Sequence, residues 1–387
     1  MAEARVAGTW RNWAGNVECR PARIAEPRDL DELKALVAGG SAVRVAGSGH
    51  SFTPVAATDG LLLSLGNFAG IVQVDRVGLQ AEIGAGARIA DLGAELQAAG
   101  LALANQGDVD VQRLAGAIST GTHGTGQTLG SISTMVAALK LVTAEGEAVE
   151  VGGGDLKAAA LSLGTLGVIT SVTLDLVPAY RLRERLWREP VERALERLPE
   201  LIAENRHFEF FWLPETDEAD CKALHPALDE TITTVEPGER LDWSWRIFPS
   251  ERTRKFVESE WSVAAAQGPA CFRAIRELMR TRHGEVKWPV EYRTVVGDDL
   301  PLSPAFGRDS VAISIHQGVG KPWRDFFADA QEIFRDFGGR PHRGKWHSLQ
   351  AKDFAALYPG WEGFNAIRRR FDPRGRFLTP YLRCIFD

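Results

Sequence analysis

The sequence predicts an α+β protein of two domains. Three observations carry this. The 387 residues exceed what one hydrophobic core usually organises. The first half mixes short apolar strands with helices, some strands paired locally and some across helices. The character then changes between Pro178 and Arg188, where Arg181-Leu182-Arg183-Glu184-Arg185 raises the charge density. A domain boundary belongs there, within about ten residues.

In order along the chain, the segment from Pro21 to Gly40 contains a helix whose start is marked by Asp29 as a cap, with Asp31 and Glu32 in the first turn. Ala42-Val43-Arg44-Val45-Ala46 reads as a buried strand that breaks into Gly47-Ser48-Gly49-His50-Ser51. Leu61 to Leu65 is another apolar strand. Ile71 to Val74 and Leu79 to Ile83 form a hairpin around Asp75-Arg76-Val77-Gly78. A helix follows from Ile89 to Ala99 and ends at Gly100. Val136 to Val151 holds two strands separated by a turn at Ala144-Glu145-Gly146-Glu147, and Leu166 to Val177 is again β-branched and apolar. Beyond the boundary, His207 to Leu213 and Val311 to His316 read as strands, and Trp261 to Arg280 and Trp323 to Phe337 as helices. The last 35 or so residues form a helix and a short tail.

Composition narrows the function classes. Hydrophobic residues make up 44% and charged residues 25%, as in ordinary globular chains. The net charge of −6 argues against a nucleic-acid partner, which needs surplus positive charge. Cys19, Cys221, Cys271 and Cys384 are widely spaced without a CxxC pair, so neither a disulfide framework nor a structural zinc site is expected. A zinc pair His342 and His347 lacks helical spacing and a third ligand. No metal is expected. No apolar run approaches a membrane span, and no secretory pattern opens the chain, so a cytoplasmic protein is expected.

Two glycine-rich segments stand out. In Val45-Ala46-Gly47-Ser48-Gly49-His50-Ser51-Phe52, glycines after a strand let several backbone N–H groups converge on one anion. A plain tight turn fits these residues equally well, and the third glycine of a Rossmann fingerprint does not follow. Leu114 to Gly126 packs four glycines with Ser119, Thr120, Thr122, His123 and Thr125. Such a loop suits a phosphate or a flat ring, a surface loop, or close backbone packing at Ala115-Gly116-Ala117.

Together these segments resemble the vanillyl-alcohol-oxidase type of FAD-linked oxidases, and within it the aldonolactone and alditol oxidases. Asn12-Trp13-Ala14-Gly15-Asn16 is similar to that family's opening, Gly47 to Ser51 to its flavin-attachment loop, Gly121-Thr122-His123-Gly124 to its second cofactor loop, and Arg340-Pro341-His342-Arg343-Gly344-Lys345 to a late signature. The resemblance covers nearly the whole chain. It implies an FAD-binding domain over residues 1–180, a substrate or cap domain over 181–350, and a segment 351–387 that returns to the FAD side. It implies FAD held covalently through His50, with Ala46, Gly47, Ser48, Gly49, Ser51, Ser119, Gly121, Thr122 and Gly124 around pyrophosphate and ring, and Val168 or Ile169 on the adenine side. Gly107 would leave dioxygen a path to the flavin.

On the substrate side, Glu291 and Arg293 share one strand face. Alone they read as an ion pair; the resemblance makes them the holders of substrate hydroxyls. Lys345 matches the family lysine near flavin and substrate oxygen, and Ser314 and His316 match polyol-contacting positions. His316 is a candidate for the hydroxyl proton, and an orienting hydrogen bond is the alternative. Two positions depart from the pattern. Arg343 replaces the usual tryptophan, giving either a more cationic pocket wall or an outward side chain. Asp108 replaces serine, and either faces the flavin and binds polyol hydroxyls or turns outward. The implied reaction is hydride transfer from a carbinol carbon of a sugar lactone (L-gulono-, L-galactono- or D-arabinono-1,4-lactone) or of an alditol, with O2 or another acceptor taking the electrons. His207 to Trp212, Val296 to Pro304, Thr58-Asp59-Gly60 and Phe377-Leu378 favour the lactone; the compact length favours the alditol. A flavin-binding protein without turnover is the alternative from another class.

Overall fold

The computed structural model describes residues 5, 6, 8–40, 42–227, 236, 238–250 and 253–387. Three sheets organise the chain. The first has the order β1 (Arg5–Val6), β2 (Arg23–Ala25), β4 (Leu61–Leu63), β3 (Val43–Val45), with β2, β4 and β3 parallel. All three parallel strands are short, and the central Leu61–Leu63 is wholly apolar and buried, as a strand covered on both faces is. Helix α1 (Leu30–Ala38) connects β2 to β3 and is capped by Asp29, whose carboxylate accepts from the Glu32 amide at 2.9 Å.

The second sheet is antiparallel, in the order β8 (Ala148–Val151), β7 (Val136–Val142), β9 (Val168–Asp175), β6 (Gln80–Gly84), β5 (Ile71–Asp75). The expected hairpin at 75–78 is present, and the Asp75 carboxylate closes it by accepting from the Val77 and Gly78 amides. Helix α2 (Ile89–Ala98) ends where Gly100 takes φ +81°, and the short helix α3 (Leu114–Thr120) ends at Gly121, φ +82°. Left-handed backbone there favours glycine.

The third sheet has eight antiparallel strands, in the order β13 (Glu239–Trp243), β10 (Arg181–Pro190), β12 (Glu218–Pro226), β11 (His207–Leu213), β15 (Val290–Val295), β16 (Ser310–Gly318), β14 (Phe256–Ala264), β17 (Arg340–Pro341). Its register puts Phe210, Tyr292, Ile313 and Trp261 in one row. That row meets helix α4 (Gly268–Arg282) through Phe272, whose ring lies 5.2 Å from Phe210, and helix α5 (Arg324–Asp336) through Phe334, 5.7 Å from Trp261. The alternate residues point to the opposite face: Glu209, Glu291, Arg293, Ser314, His316, Glu258 and Glu260.

One element corrects the sequence reading. Trp261 to Arg280 is not a single helix. Residues up to Ala264 belong to β14, and α4 begins at Gly268 with Pro269 in its first turn. Val257, Ser259, Trp261 and Val263 alternate with Glu258, Glu260 and Ser262, and pairing with β16 on one side and β17 on the other fixes this stretch as strand.

Helices α6 (Ala351–Leu357), α7 (Trp361–Phe371) and α8 (Pro380–Phe386) close the chain. The stretch before α8 lies against β3: the Val43 amide donates to the Arg376 carbonyl at 3.0 Å, and Arg44 Nη1 donates to the Phe377 carbonyl at 3.0 Å. All four cysteines are free thiols. Among the described residues no helix is long and apolar enough to cross a membrane.

Candidate functional site

Two cavities meet at Gln112. The first is a cleft of about 1070 Å³. It is walled by the turn after β3, by α3 and by the start of β9, and includes Ala46, Gly47, Ser48, Gly49, His50, Ser51, Ser119, Val168 and Ile169. Nine of the cofactor-loop residues singled out in the sequence therefore share one wall. The lining is largely glycine, alanine and valine, so short side chains leave much of the backbone at the wall. At Gly116 an added methyl group would meet nothing within 4 Å, which leaves that backbone open to the cleft. Gly86 is the opposite case: its Cβ would fall 1.7 Å from the Leu65 carbonyl oxygen. Arg44 and Arg113 are the cations of the lining. Arg44 is buried, donates to the carbonyls of Leu163, Gly164 and Phe377, and keeps its Nε without a partner. A cleft lined by glycine-rich turns and bordered by two guanidinium groups fits a dinucleotide with a pyrophosphate centre.

His50 stands at the end of this cleft nearest the second cavity. The opening segment holds it in place. The Trp13 ring stacks on the imidazole at 4.7 Å, the Trp13 amide donates to the Gly49 carbonyl at 2.8 Å, and Asn12 Nδ2 donates to the Ser51 carbonyl at 2.9 Å. Burial, helped by the Lys345 ammonium and opposed by Glu258, lowers the His50 pKa to about 4. The imidazole is therefore neutral near pH 7 and retains a nitrogen lone pair.

The second cavity, about 780 Å³, is lined by charged side chains, with Phe211, Phe256 and Trp288 as its apolar wall. It brings together Glu291, Arg293, Lys345, His316, Asp108, Gly107 and Thr122. Adjacent strands set the spacing. Glu260 pairs across with Ser314, Ser314 with Glu291, and Glu258 with His316. Arg293 Nη2 lies 2.5 Å from Glu260 Oε2 and 3.2 Å from Glu291 Oε2. Lys345 donates to Glu258 in a short contact. His316 Nδ1 donates to the Pro289 carbonyl at 3.0 Å, which turns Nε2 toward Glu258, 3.7 Å away. His123 places Nε2 3.0 Å from Glu260.

These charges balance one another. Burial alone would raise the Glu260 carboxyl; His123 and Arg293 overcome it and hold Glu260 well below the usual range. Glu258 is likewise pushed up by burial and brought below its usual value by Lys345 and His316. The Arg293 guanidinium resists burial because Glu291 and Glu260 face it, and its pKa is raised. Such a buried set stays ionised only while every partner is present.

Glu258 and Glu260 did not emerge from the sequence, although the period-2 alternation of β14 was there to find them. Several expected site residues lie elsewhere than supposed. Gly121 caps α3 directly after Ser119 and Thr120 of the cleft wall, and at Gly124 an added Cβ would be 2.3 Å from the Gln106 carbonyl oxygen. Ser314 is fully buried beneath the second cavity and donates to Glu260 at 2.8 Å. Arg343 neither lines the pocket nor turns outward. It is 1% exposed, its guanidinium lies 5.1 Å from the Tyr358 ring, and none of its three side-chain nitrogens has a hydrogen-bond partner. Asp108 does face the pocket, but it also accepts from Lys222 Nζ at 3.0 Å and Ser250 Oγ at 3.1 Å. Thr122 lines the second cavity rather than the first, with its buried hydroxyl unpaired.

The D-arabinono-1,4-lactone oxidase family matches residues 172–237 and 223–385, and the FAD binding domain family matches residues 21–152. The chain belongs to the aldonolactone oxidase family. It is an FAD-dependent oxidoreductase. Among aldonolactone oxidase relatives, L-gulono-1,4-lactone dehydrogenase of Mycobacterium tuberculosis is 34% identical, with 97% of this chain and 98% of the relative covered. L-gulonolactone oxidase of Bos taurus is 30% identical, again over 97% and 98%. Alditol oxidase of a Streptomyces species is 31% identical over 97% and 98%. The structure of cholesterol oxidase from B. sterolicum superposes with a TM-score of 0.88 at 16% identity, covering 98% of this chain and 97% of that one. At that identity the likeness shows the two-domain α+β fold, which this chain shares.

Proposed function

We propose that this protein oxidises a carbinol of an aldono-1,4-lactone, of the L-gulono, L-galactono or D-arabinono type, with FAD attached through His50. The reading takes residues 1–180 and 351–387 as the FAD side and 181–350 as the cap. The observation that carries it is the meeting of Glu291, Arg293 and Lys345 in one cavity that adjoins the glycine-walled cleft at His50.

Bound FAD would supply the acceptor for a hydride from the carbinol carbon. The rest is the work of this chain. Glu291 accepts a hydrogen bond from a substrate hydroxyl and, fixed by Arg293, sets the orientation of the ring. Lys345 and Arg293 offer positive charge where negative charge develops on the carbinol oxygen. His316, held by Pro289, and the unpaired Thr122 hydroxyl supply further contacts. Asp108, Glu258, Glu260 and Glu291 give the pocket an acidic wall. A neutral lactone is favoured there over its hydrolysed, anionic aldonate.

Gly107 bears on the electron acceptor. The relatives' names divide between oxidase and dehydrogenase. Gly107 leaves the pocket wall without a side chain beside Thr122, which suits O2 as acceptor and H2O2 as product. A Cβ there would stand 3.0 Å from the His123 carbonyl oxygen, so Gly107→Ala is the appropriate variant. Unchanged O2 reactivity in Gly107→Ala counts against this role.

Alditol oxidation is the second reading, favoured by the Streptomyces relative. A panel of lactones, aldonates and alditols, assayed with O2 and with a dye, decides between them. Rapid oxidation of xylitol or sorbitol with no lactone turnover overturns the lactone reading. For the attachment, the yellow colour stays with the acid-denatured chain and is released by His50→Ala; colour that washes off the unaltered protein refutes the covalent link.

A further inference from the structure

Asp108 is a shared wall. One side faces the substrate pocket; the other faces a small crevice lined also by His207, Glu209, Lys222 and Phe248. His207 is 1% exposed, packs edge-on against Phe248, and has no hydrogen-bond partner on either ring nitrogen.

Glu209 projects into the same space from β11. Lys222 pairs with it across the strands, Nζ to Oε1 at 3.0 Å, and reaches Asp108 at 3.0 Å. Carboxylate oxygens of Asp108, Glu209 and Glu291 lie within 4.8 Å of one another. The groups facing Glu209 are thus Asp108 from the loop before α3, Lys222 from β12, Glu291 and Arg293 from β15, and His207 from its own strand. Three carboxylates share two cations, and Arg293 also serves Glu260. Like charges this close do not all stay ionised, so one carboxyl of the set holds a proton.

We infer that Glu209 is the store for the proton that the substrate hydroxyl gives up, receiving it through Glu291. This rests on the hydride-transfer reading above. The C–H pair leaves as hydride to the FAD, the O–H bond breaks, its electron pair closes the C=O bond, and the proton moves to Glu291 and on to Glu209. Reduction of O2 to H2O2 by the two stored electrons consumes one proton, so the store is emptied once per cycle. Glu209 is a positioning group for this proton and does not touch substrate. Its carboxyl is suited to holding a proton near neutral pH. Burial first, then Asp108 and Glu291, against Lys222 and Arg293, raise its pKa to about 7.

The test is stopped-flow reduction of the holoenzyme by the best substrate of the panel, between about pH 5 and about pH 9, with infrared difference spectra of the resting enzyme over the same range. The rate of the unaltered enzyme climbs through neutrality as Glu209 loses its resting proton, and an infrared band of a protonated carboxyl disappears in step. Glu209→Gln lacks that band and shows a flat profile, about 10²-fold slower at the alkaline end. Glu209→Asp restores the slope. The inference is overturned if the slope survives in Glu209→Gln, if it vanishes instead in His316→Gln, or if the band is missing from the unaltered protein. Should no lactone or polyol reduce the flavin, the hydride-transfer reading fails, while the infrared titration still decides whether Glu209 carries the proton.

Discussion

The cleft beside His50 and the pocket beside Lys345 share the boundary residue Gln112 but are made of different material. The cleft is walled by backbone and small apolar side chains that come from turns after β3 and around α3. The pocket is walled by Glu258 and Glu260 of β14, Glu291 and Arg293 of β15 and His316 of β16, with Asp108 and Lys345 added from loops. Backbone amides are fixed in direction by the fold and carry no net charge, so the cleft tolerates side-chain exchange except where the chain must pass close. Buried charges are held by one another, so the pocket tolerates almost none. On the proposed reading, a generic cofactor meets the first kind of wall and a specific substrate the second.

That contrast is open to attack, first at Arg293. Arg293→Gln strands Glu260 and Glu291 in a buried wall. Expected are a loss of about 3–5 kcal/mol in urea unfolding and a fall in the rate of flavin reduction of about 10²–10³-fold, with the flavin still attached. A loss under 1 kcal/mol, by the same measurement, would mean that the charges are independent.

In the cleft the sensitive positions are glycines. Gly86→Ala forces a methyl against the Leu65 carbonyl, with an expected loss of about 1–3 kcal/mol and a lower FAD content by absorbance. Gly116→Ala, which meets nothing, leaves stability unchanged and weakens FAD incorporation alone. Equal stability loss in both variants would sink the distinction.

Charge outside the pocket behaves differently again. Arg343 is buried without a hydrogen bond to its guanidinium, and burial lowers its pKa. Arg343→Met removes the cost of burying a charge, and a gain of about 1–2 kcal/mol with unchanged turnover is expected. Destabilisation instead would show that the cation–π contact with Tyr358 outweighs that cost.

The smallest effect is a slope. Burial lowers the pKa of His347 from 6.5 to about 3, with Arg343 and His342 adding to it. The folded protein thus binds this proton less readily than the unfolded chain. The stability it protects is present above pH 6.5 and is lost as pH falls toward 3, at about 1.4 kcal/mol per pH unit. His347→Leu removes that share, and the gap between its unfolding free energies at pH 7 and pH 5 narrows accordingly; an unchanged gap refutes it.

Much of this was legible in the sequence. Asp29, the hairpin at Asp75 and the glycine at 100 marked their elements because caps and turns are decided by neighbours a few residues away. Glu291 and Arg293 were legible as a same-face pair because strand alternation is local. β14 was not. Its alternation is plain, but Phe256 to Glu260 was given no element, and Trp261 to Ala264 was absorbed into the helix that follows. Arg343 was read as a pocket wall or a surface group because a sequence shows a charge but not what covers it.

The residues by themselves determined most strand and helix periods, the turn that carries His50, the family, and the same-face pairing of Glu291 with Arg293. Only the tertiary structure decided which face of the large sheet would be interior. Helices α4 and α5 cover one face with apolar contacts, and the N-terminal half covers the other. Charges on that face are thereby buried, and partners distant in sequence set their protonation, as His123, 137 residues away, does for Glu260. Electrostatics in a buried site depends on distance in space, and sequence separation does not encode it.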